Sequence, residues 1–120
     1  MITRFPGLTP TRSRAVATDD LVFTVAVAPD PVGRSVYEQS VQMLARVDES
    51  LALCASNKSK VLAATIYLND VTCKAEFNRA WDAWVDPKNP PARAAPRGTP
   101  RPARRGRGWR PGGKDRPSAR

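Results

Sequence analysis

The chain contains no histidine. The commonest metal ligand and the usual general base near neutral pH are therefore both absent, which excludes Ser/His triads, HExxH zinc sites and Cys/His dyads. Its two cysteines, Cys54 and Cys73, are too few for a zinc cluster or a disulfide framework. With no signal peptide at the start, they are expected as reduced, partly buried thiols. Glu38, Glu49 and Glu76 are the carboxylates that a helix could present for acid–base work, and on helix faces they read most simply as solvated charges. Trp81 and Trp84 could form an aromatic binding box, but their spacing with Phe77 points to core packing. Thr65 and Tyr67 could line a cleft without being committed to a role.

Charge narrows the partners. The chain has 20 Lys plus Arg against 11 Asp plus Glu, a net of +9. From Pro96 onward nine residues are positive (Arg97, Arg101, Arg104, Arg105, Arg107, Arg110, Lys114, Arg116, Arg120) and one, Asp115, is negative. That segment holds 9 − 1 = +8, leaving +1 for residues 1–95. A surface that binds nucleic acid through the fold would place its charge in the fold, so nucleic acid is not the expected partner. No apolar run approaches the ~18 residues needed to span a membrane, and the expected address is the cytoplasm.

The elements that must carry these side chains follow from local pattern. Residues 1–11 read as an irregular lead-in. Residues 14–18 are short and β-compatible, Asp19-Asp20 make a polar turn, and residues 21–28, rich in β-branched types, supply a hairpin partner. Pro29, Pro31 and Gly33 end it. Ser35 followed by Glu38 forms a capping box, worth about 1 kcal/mol. Tyr37, Val41, Leu44, Val47, Leu51 and Cys54 then recur at steps of three and four, one stripe of a helix running to about Ala55. Gln42, Arg46 and Glu49 fall on its other side, and S-N-K-S at 56–59 stops it. Residues 61–68, V-L-A-A-T-I-Y-L, fit a strand buried on both faces or a piece of helix, and the short length with Val61, Thr65 and Ile66 favours strand. N-D-V-T at 69–72 caps a second helix with the stripe Phe77, Trp81, Trp84 and Val85, ended by Asp86-Pro87. Two amphipathic helices need one sheet face to cover, so the expected class is an α+β two-layer sandwich. Three strands counted in this way leave the sheet without a closing partner.

S-N-K-S-K-V-L-A-A-T-I-Y-L-N-D at 56–70, F-N-R-A-W-D-A-W-V at 77–85 and N-P-P-A-R-A at 89–94 together resemble the RidA/YjgF family, most closely its YoaB-like branch. The strand at 21–28 and the helix text E-Q-S-V-Q-M-L-A-R-V-D fit in layout, so the resemblance covers residues 1–95. It implies a chorismate-mutase-like α+β fold and a homotrimer with active sites in the clefts between subunits. It further implies hydrolysis of reactive enamines and imines, such as 2-aminoacrylate and 2-iminobutanoate, to 2-keto acids and ammonia, with no metal or organic cofactor. The family arginine that pairs with the substrate carboxylate matches Arg93, and a planar guanidinium suits that task because it offers two parallel donors. The competing reading is a rim arginine paired with Asp86 or Glu76. The family asparagine on the second helix matches Asn78; an asparagine there also commonly bonds nearby backbone.

The departures are equally specific. The family glutamate on the final strand, thought to position the attacking water, has no counterpart. An N-terminal tyrosine of many members is replaced near Ser13 and Arg14, and the serine-glycine corner after the second strand appears as Val25-Ala26. After P-A-R-A the family continues into a strand, a turn and a last strand that packs inside the sheet. Here residues 96–120 carry five prolines and five glycines, with Trp109 the one large apolar residue. Such text cannot form a buried strand and is expected to be a disordered arm. The abrupt change of composition is the signature of a shifted reading frame, and the domain expected is 1–95 with its last strands missing. A basic arm that binds phosphates, with Trp109 stacked on a base, is the rival reading.

Overall fold

The computed structural model describes residues 1–95; the arm expected over 96–120 lies outside the described residues. The chain runs through strands β1 (Thr3–Pro6), β2 (Ser13–Ala17) and β3 (Val22–Thr24), helix α1 (Val36–Leu53), strand β4 (Ala63–Thr65), helix α2 (Lys74–Trp84) and strand β5 (Ala92–Ala94). This is the expected two-layer α+β architecture, with both helices on one side of the strands.

The first correction concerns the lead-in. Residues 3–6 pair antiparallel with β2, Thr3 opposite Ala17 and Phe5 opposite Ala15. The turn between them needs Gly7, whose amide donates to the Arg12 carbonyl at 3.0 Å. A Cβ at Gly7 would stand 2.7 Å from that same oxygen, so only glycine lets the backbone close here. β3 joins the other edge of β2, Val16 opposite Phe23. The expected strand over 21–28 is paired through Val22–Thr24 and, beyond it, by the Thr18 amide on the Leu21 carbonyl at 2.8 Å and the Val25 amide on the Arg14 carbonyl at 3.2 Å.

Helix α1 is what the pattern predicted. Ser35 accepts from the Glu38 amide at 3.1 Å, and Glu38 accepts from the Ser35 amide at 3.1 Å. The helix ends in a Schellman arrangement, with the Ser56 amide on the Leu51 carbonyl at 2.8 Å and the Ala55 amide on the Ala52 carbonyl at 3.0 Å. Ala55 takes the left-handed position, φ 57°, that glycine usually fills. Leu44 and Leu51 are buried as expected; Val41, in the same stripe, stays 45% exposed.

Of residues 61–68 only Ala63–Thr65 form a strand, and the run is buried on one face only, the second correction. Ala64, Ile66 and Leu68 turn inward while Ala63, Thr65 and Tyr67 are exposed, because no described residues cover the outer face of β4. Asp70 caps a 3-10 turn, Val71–Cys73, that feeds α2, so the N-D-V-T signal is real but one turn early. The third correction is β5: P-A-R-A is itself a strand, parallel to β4, with Ala64 opposite Arg93. β4, α2 and β5 thus make a βαβ unit. Among the described residues the strands form two pieces, β1-β2-β3 and β4-β5. Phe77, Ala80, Trp81, Leu44 and Ile66 make the core that joins the helices to β4 and β5.

Candidate functional site

Arg93 occupies the middle of β5, and its side chain crosses to α2. The guanidinium carbon lies 5.4 Å from the Phe77 ring centre and 5.3 Å from that of Trp81. The two rings are one helical turn apart, so they fall on the same face of α2, with centres 6.0 Å apart. Phe77 is fully buried and Trp81 is 8% exposed, so the platform is rigid. Contact with aromatic rings favours the cation without using its N–H groups in an ion pair.

The competing partners of Arg93 are otherwise engaged. Asp86 accepts from the Ser59 hydroxyl at 2.7 Å, the Asn89 amide group at 3.0 Å and the Lys88 backbone N–H at 2.9 Å. These bonds, that from Asn89 foremost and then that from Ser59, pull its carboxyl down to about 2. Glu76 accepts from the Tyr37 backbone N–H at 3.4 Å. Among the described residues Arg93 has no carboxylate within ion-pair distance. The rim ion pair is therefore absent.

Asn78 follows Phe77 on α2. Its Oδ1 is buried and receives no hydrogen bond, which is an acceptor paying full desolvation without a partner. The backbone bonding expected for a structural asparagine is not made through this atom, and no hydrogen bond joins it to Arg93 among the described residues. Thr65 and Tyr67 lie on the exposed side of β4.

The remaining candidates are structural. Glu38 serves the cap of α1, and the Ser35 backbone and hydroxyl bonds hold its carboxyl below the ordinary range. Glu49 pairs with Arg46 at 3.0 Å and Arg14 at 3.5 Å. Arg14, near the position of the family tyrosine, also donates from Nε to the buried Ser50 hydroxyl at 3.0 Å, tying β2 to α1. The Trp84 indole donates to Asp48 at 3.0 Å. Cys54 and Cys73 are free, half-buried thiols. Among the described residues no three side chains of metal-ligating type come together, and none of the helices is long and apolar enough to cross a membrane.

The role of Phe77 and Trp81 as a bed for Arg93 escapes sequence reasoning. The two aromatics one turn apart were visible, but not that 92–94 would return as a strand beneath them.

Fold and site define a small two-layer α+β protein in which a strand arginine, without an ion pair among the described residues, lies on an aromatic bed between β5 and α2 of a βαβ unit. Residues 8–97 match the family described as Endoribonuclease L-PSP, and the chain belongs to that family, whose members are also called RutC or YjgF proteins. It is 37% identical over 95 residues to a RutC family protein of Haemophilus ducreyi, covering 79% of this chain and 80% of that one. It is 42% identical over 65 residues to the RutC family protein YoaB of Escherichia coli, covering 54% of this chain and 57% of that protein. Among solved structures, a YjgF-family protein of Neisseria meningitidis superposes with a TM-score of 0.75 at 42% identity, over 88% of this chain and 85% of that one. A Pseudomonas aeruginosa protein superposes with a TM-score of 0.76 at 27% identity, over 86% and 89%.

Proposed function

We propose that the chain is a subunit of an enamine/imine deaminase that hydrolyses small 2-imino acids to 2-keto acids and ammonia. The observation that carries this reading is the guanidinium of Arg93 on Phe77 and Trp81, without an ion pair among the described residues. A guanidinium without an ion pair is suited to receive a carboxylate through two parallel bonds. The substrate carbon next to that carboxylate carries the C=N bond. Water adds to this carbon, the nitrogen takes up a proton, and the resulting carbinolamine expels ammonia as the C=O bond forms. One water is consumed and one ammonia released, with no change of oxidation state. Asn78, whose buried Oδ1 receives no hydrogen bond among the described residues, is the second polar group that the resemblance assigns to the site. Arg93 and Asn78 are thus the proposed carboxylate anchor and polar positioning group.

The proposed site lies in a cleft between copies of a homotrimer, a reading that rests on the family resemblance. The surface here is compatible with that assembly: Leu21, Phe23, Val25 and Val27 alternate along one face and are 47%, 59%, 67% and 67% exposed. An apolar row of this kind favours burial against another chain. The cytoplasm is the proposed location. We further read residues 96–120 as frameshifted text; the family match ends at residue 97, where the Arg/Pro/Gly-rich composition begins.

The test is release of ammonia and 2-oxobutanoate from 2-iminobutanoate generated in the assay. Turnover above the spontaneous rate, impaired by the altered C-terminus, is expected. Binding of 2-oxobutanoate without turnover would instead identify a non-catalytic small-molecule binder, a reading favoured by the absence of a carboxylate beside Arg93 among the described residues.

A further inference from the structure

On the helix side of the molecule lies a feature that the Arg93 site does not use. The hydrogen bond between Glu76 and Tyr37 and that between Trp84 and Asp48 show that α1 and α2 run in the same direction. Opposite the α1 stripe, α2 presents Ala80 and Ala83. Two methyl groups cannot fill the space that larger side chains would close between packed helices. A cleft of about 270 Å³ results, with Leu44 and Ala80 among its buried lining. This is why Val41 stays exposed. Tyr37 stands towards one end and Trp84 towards the other, and Lys58 is part of the lining.

The charges there are unevenly satisfied. The Lys58 ammonium sits 5.7 Å from the Trp84 ring centre and has no carboxylate within 4 Å among the described residues. Arg79 similarly lies on Tyr37, at 4.4 Å. The nearby acids already accept other donors: Asp48 the Trp84 indole, Glu76 the Tyr37 amide, and Asp86 its three donors, with Lys58 acting on Asp86 only from beyond ion-pair distance. Apolar and aromatic walls with a cation that has no direct ion pair among the described residues are complementary to a flat apolar acid. The volume falls just below the ~300 Å³ at which sites for drug-sized ligands begin, which excludes a peptide side of any length.

We propose that the cleft between α1 and α2 binds a small aromatic monocarboxylate, its acid group on Lys58 and its ring over Ala80 and Ala83. The experiment is titration of the full 1–120 chain with 2-naphthoate, followed by NMR of the Val41, Ala80 and Ala83 methyls and the Trp84 indole N–H. Saturable shifts at these groups are expected, with 2-naphthamide, the neutral analogue, about tenfold or more weaker. Lys58→Gln should lower affinity for the acid to that for the amide. Ala83→Leu, at an exposed position, should fill the cleft and abolish the shifts while leaving the fold intact. Arg93→Ala should bind as the unsubstituted chain does, which separates this site from the proposed deaminase cleft. Equal affinity for acid and amide, binding undiminished in Ala83→Leu or lost in Arg93→Ala, or no shift at the cleft methyls would each overturn the proposal.

Discussion

Replacing Arg93 by alanine should weaken recognition of 2-imino and 2-keto acids about ten- to hundredfold while leaving the domain folded. The two effects separate because of what the guanidinium touches. Its described protein contacts are the rings of Phe77 and Trp81, at 5.4 and 5.3 Å. Each half-exposed contact of that kind contributes about 0.5–1 kcal/mol. Losing both removes about 1–2 kcal/mol from a typical total of about 5–15 kcal/mol. No buried carboxylate is orphaned, since among the described residues none is paired with Arg93. A bound carboxylate, by contrast, loses a charge-assisted contact worth about 1.5–3 kcal/mol, or about ten- to hundredfold in kcat/KM. Arg93→Lys keeps the charge but not the two-pronged donor geometry, and should recover only part of the loss. The assay is 2-iminobutanoate hydrolysis, with an NMR titration of 2-oxobutanoate as a readout independent of turnover. Circular dichroism checks the fold of each variant. Unchanged kinetics and binding in a folded Arg93→Ala protein would remove this residue from the site and with it the argument from the aromatic bed.

Further outcomes follow from other parts of the structure. Ala55→Gly should raise stability by about 1 kcal/mol, because the residue holds φ 57° at the Schellman position without the freedom of glycine; a lower melting temperature would contradict it. The Asp86 clasp on Ser59 and Asn89 is tightened only when the carboxylate is charged. Its folded-state value, lowered from 3.8 to about 2, means that its stabilisation is complete above about pH 4 and disappears as the pH falls through about 2. An Asp86→Asn variant should lack that part of the acid dependence, as a pH series of thermal melts would show. The chain as written should be a loose or aggregating trimer, and cutting it to 1–95 should not repair it, because the described strands remain in two pieces with unpaired edges. Sedimentation and hydrogen exchange would decide; a compact trimer with slow exchange over 61–68 would refute this. One alternative reading frame after the Ala95 codon should restore a strand pattern with a glutamate, and three Pro/Arg/Gly-rich frames would dismiss the frameshift.

Local chemistry alone made α1 and the layer class legible. A capping box needs only Ser35 and Glu38, and an amphipathic stripe needs only a period, so both survive without knowledge of any distant residue. The same holds for the exclusion of histidine chemistry and for the near-neutral charge of residues 1–95. The strands were less legible because pairing is a non-local matter. Residues 3–6 carry Pro6 and looked irregular, yet they become β1 because β2 lies alongside with Gly7 to close the turn. Ala92–Ala94 has neither length nor strong β propensity, and it is a strand because β4 offers a parallel partner across α2. Arg93 and Asn78 were named from family text, but text could not say what surrounds them. Only the packing of β5 against α2 decided that the arginine lies on two aromatic rings with no anion paired to it among the described residues. Only burial left the asparagine oxygen without a donor. In each case the free energy comes from neighbours far away in sequence, which the period, cap and turn signals of a single segment do not encode.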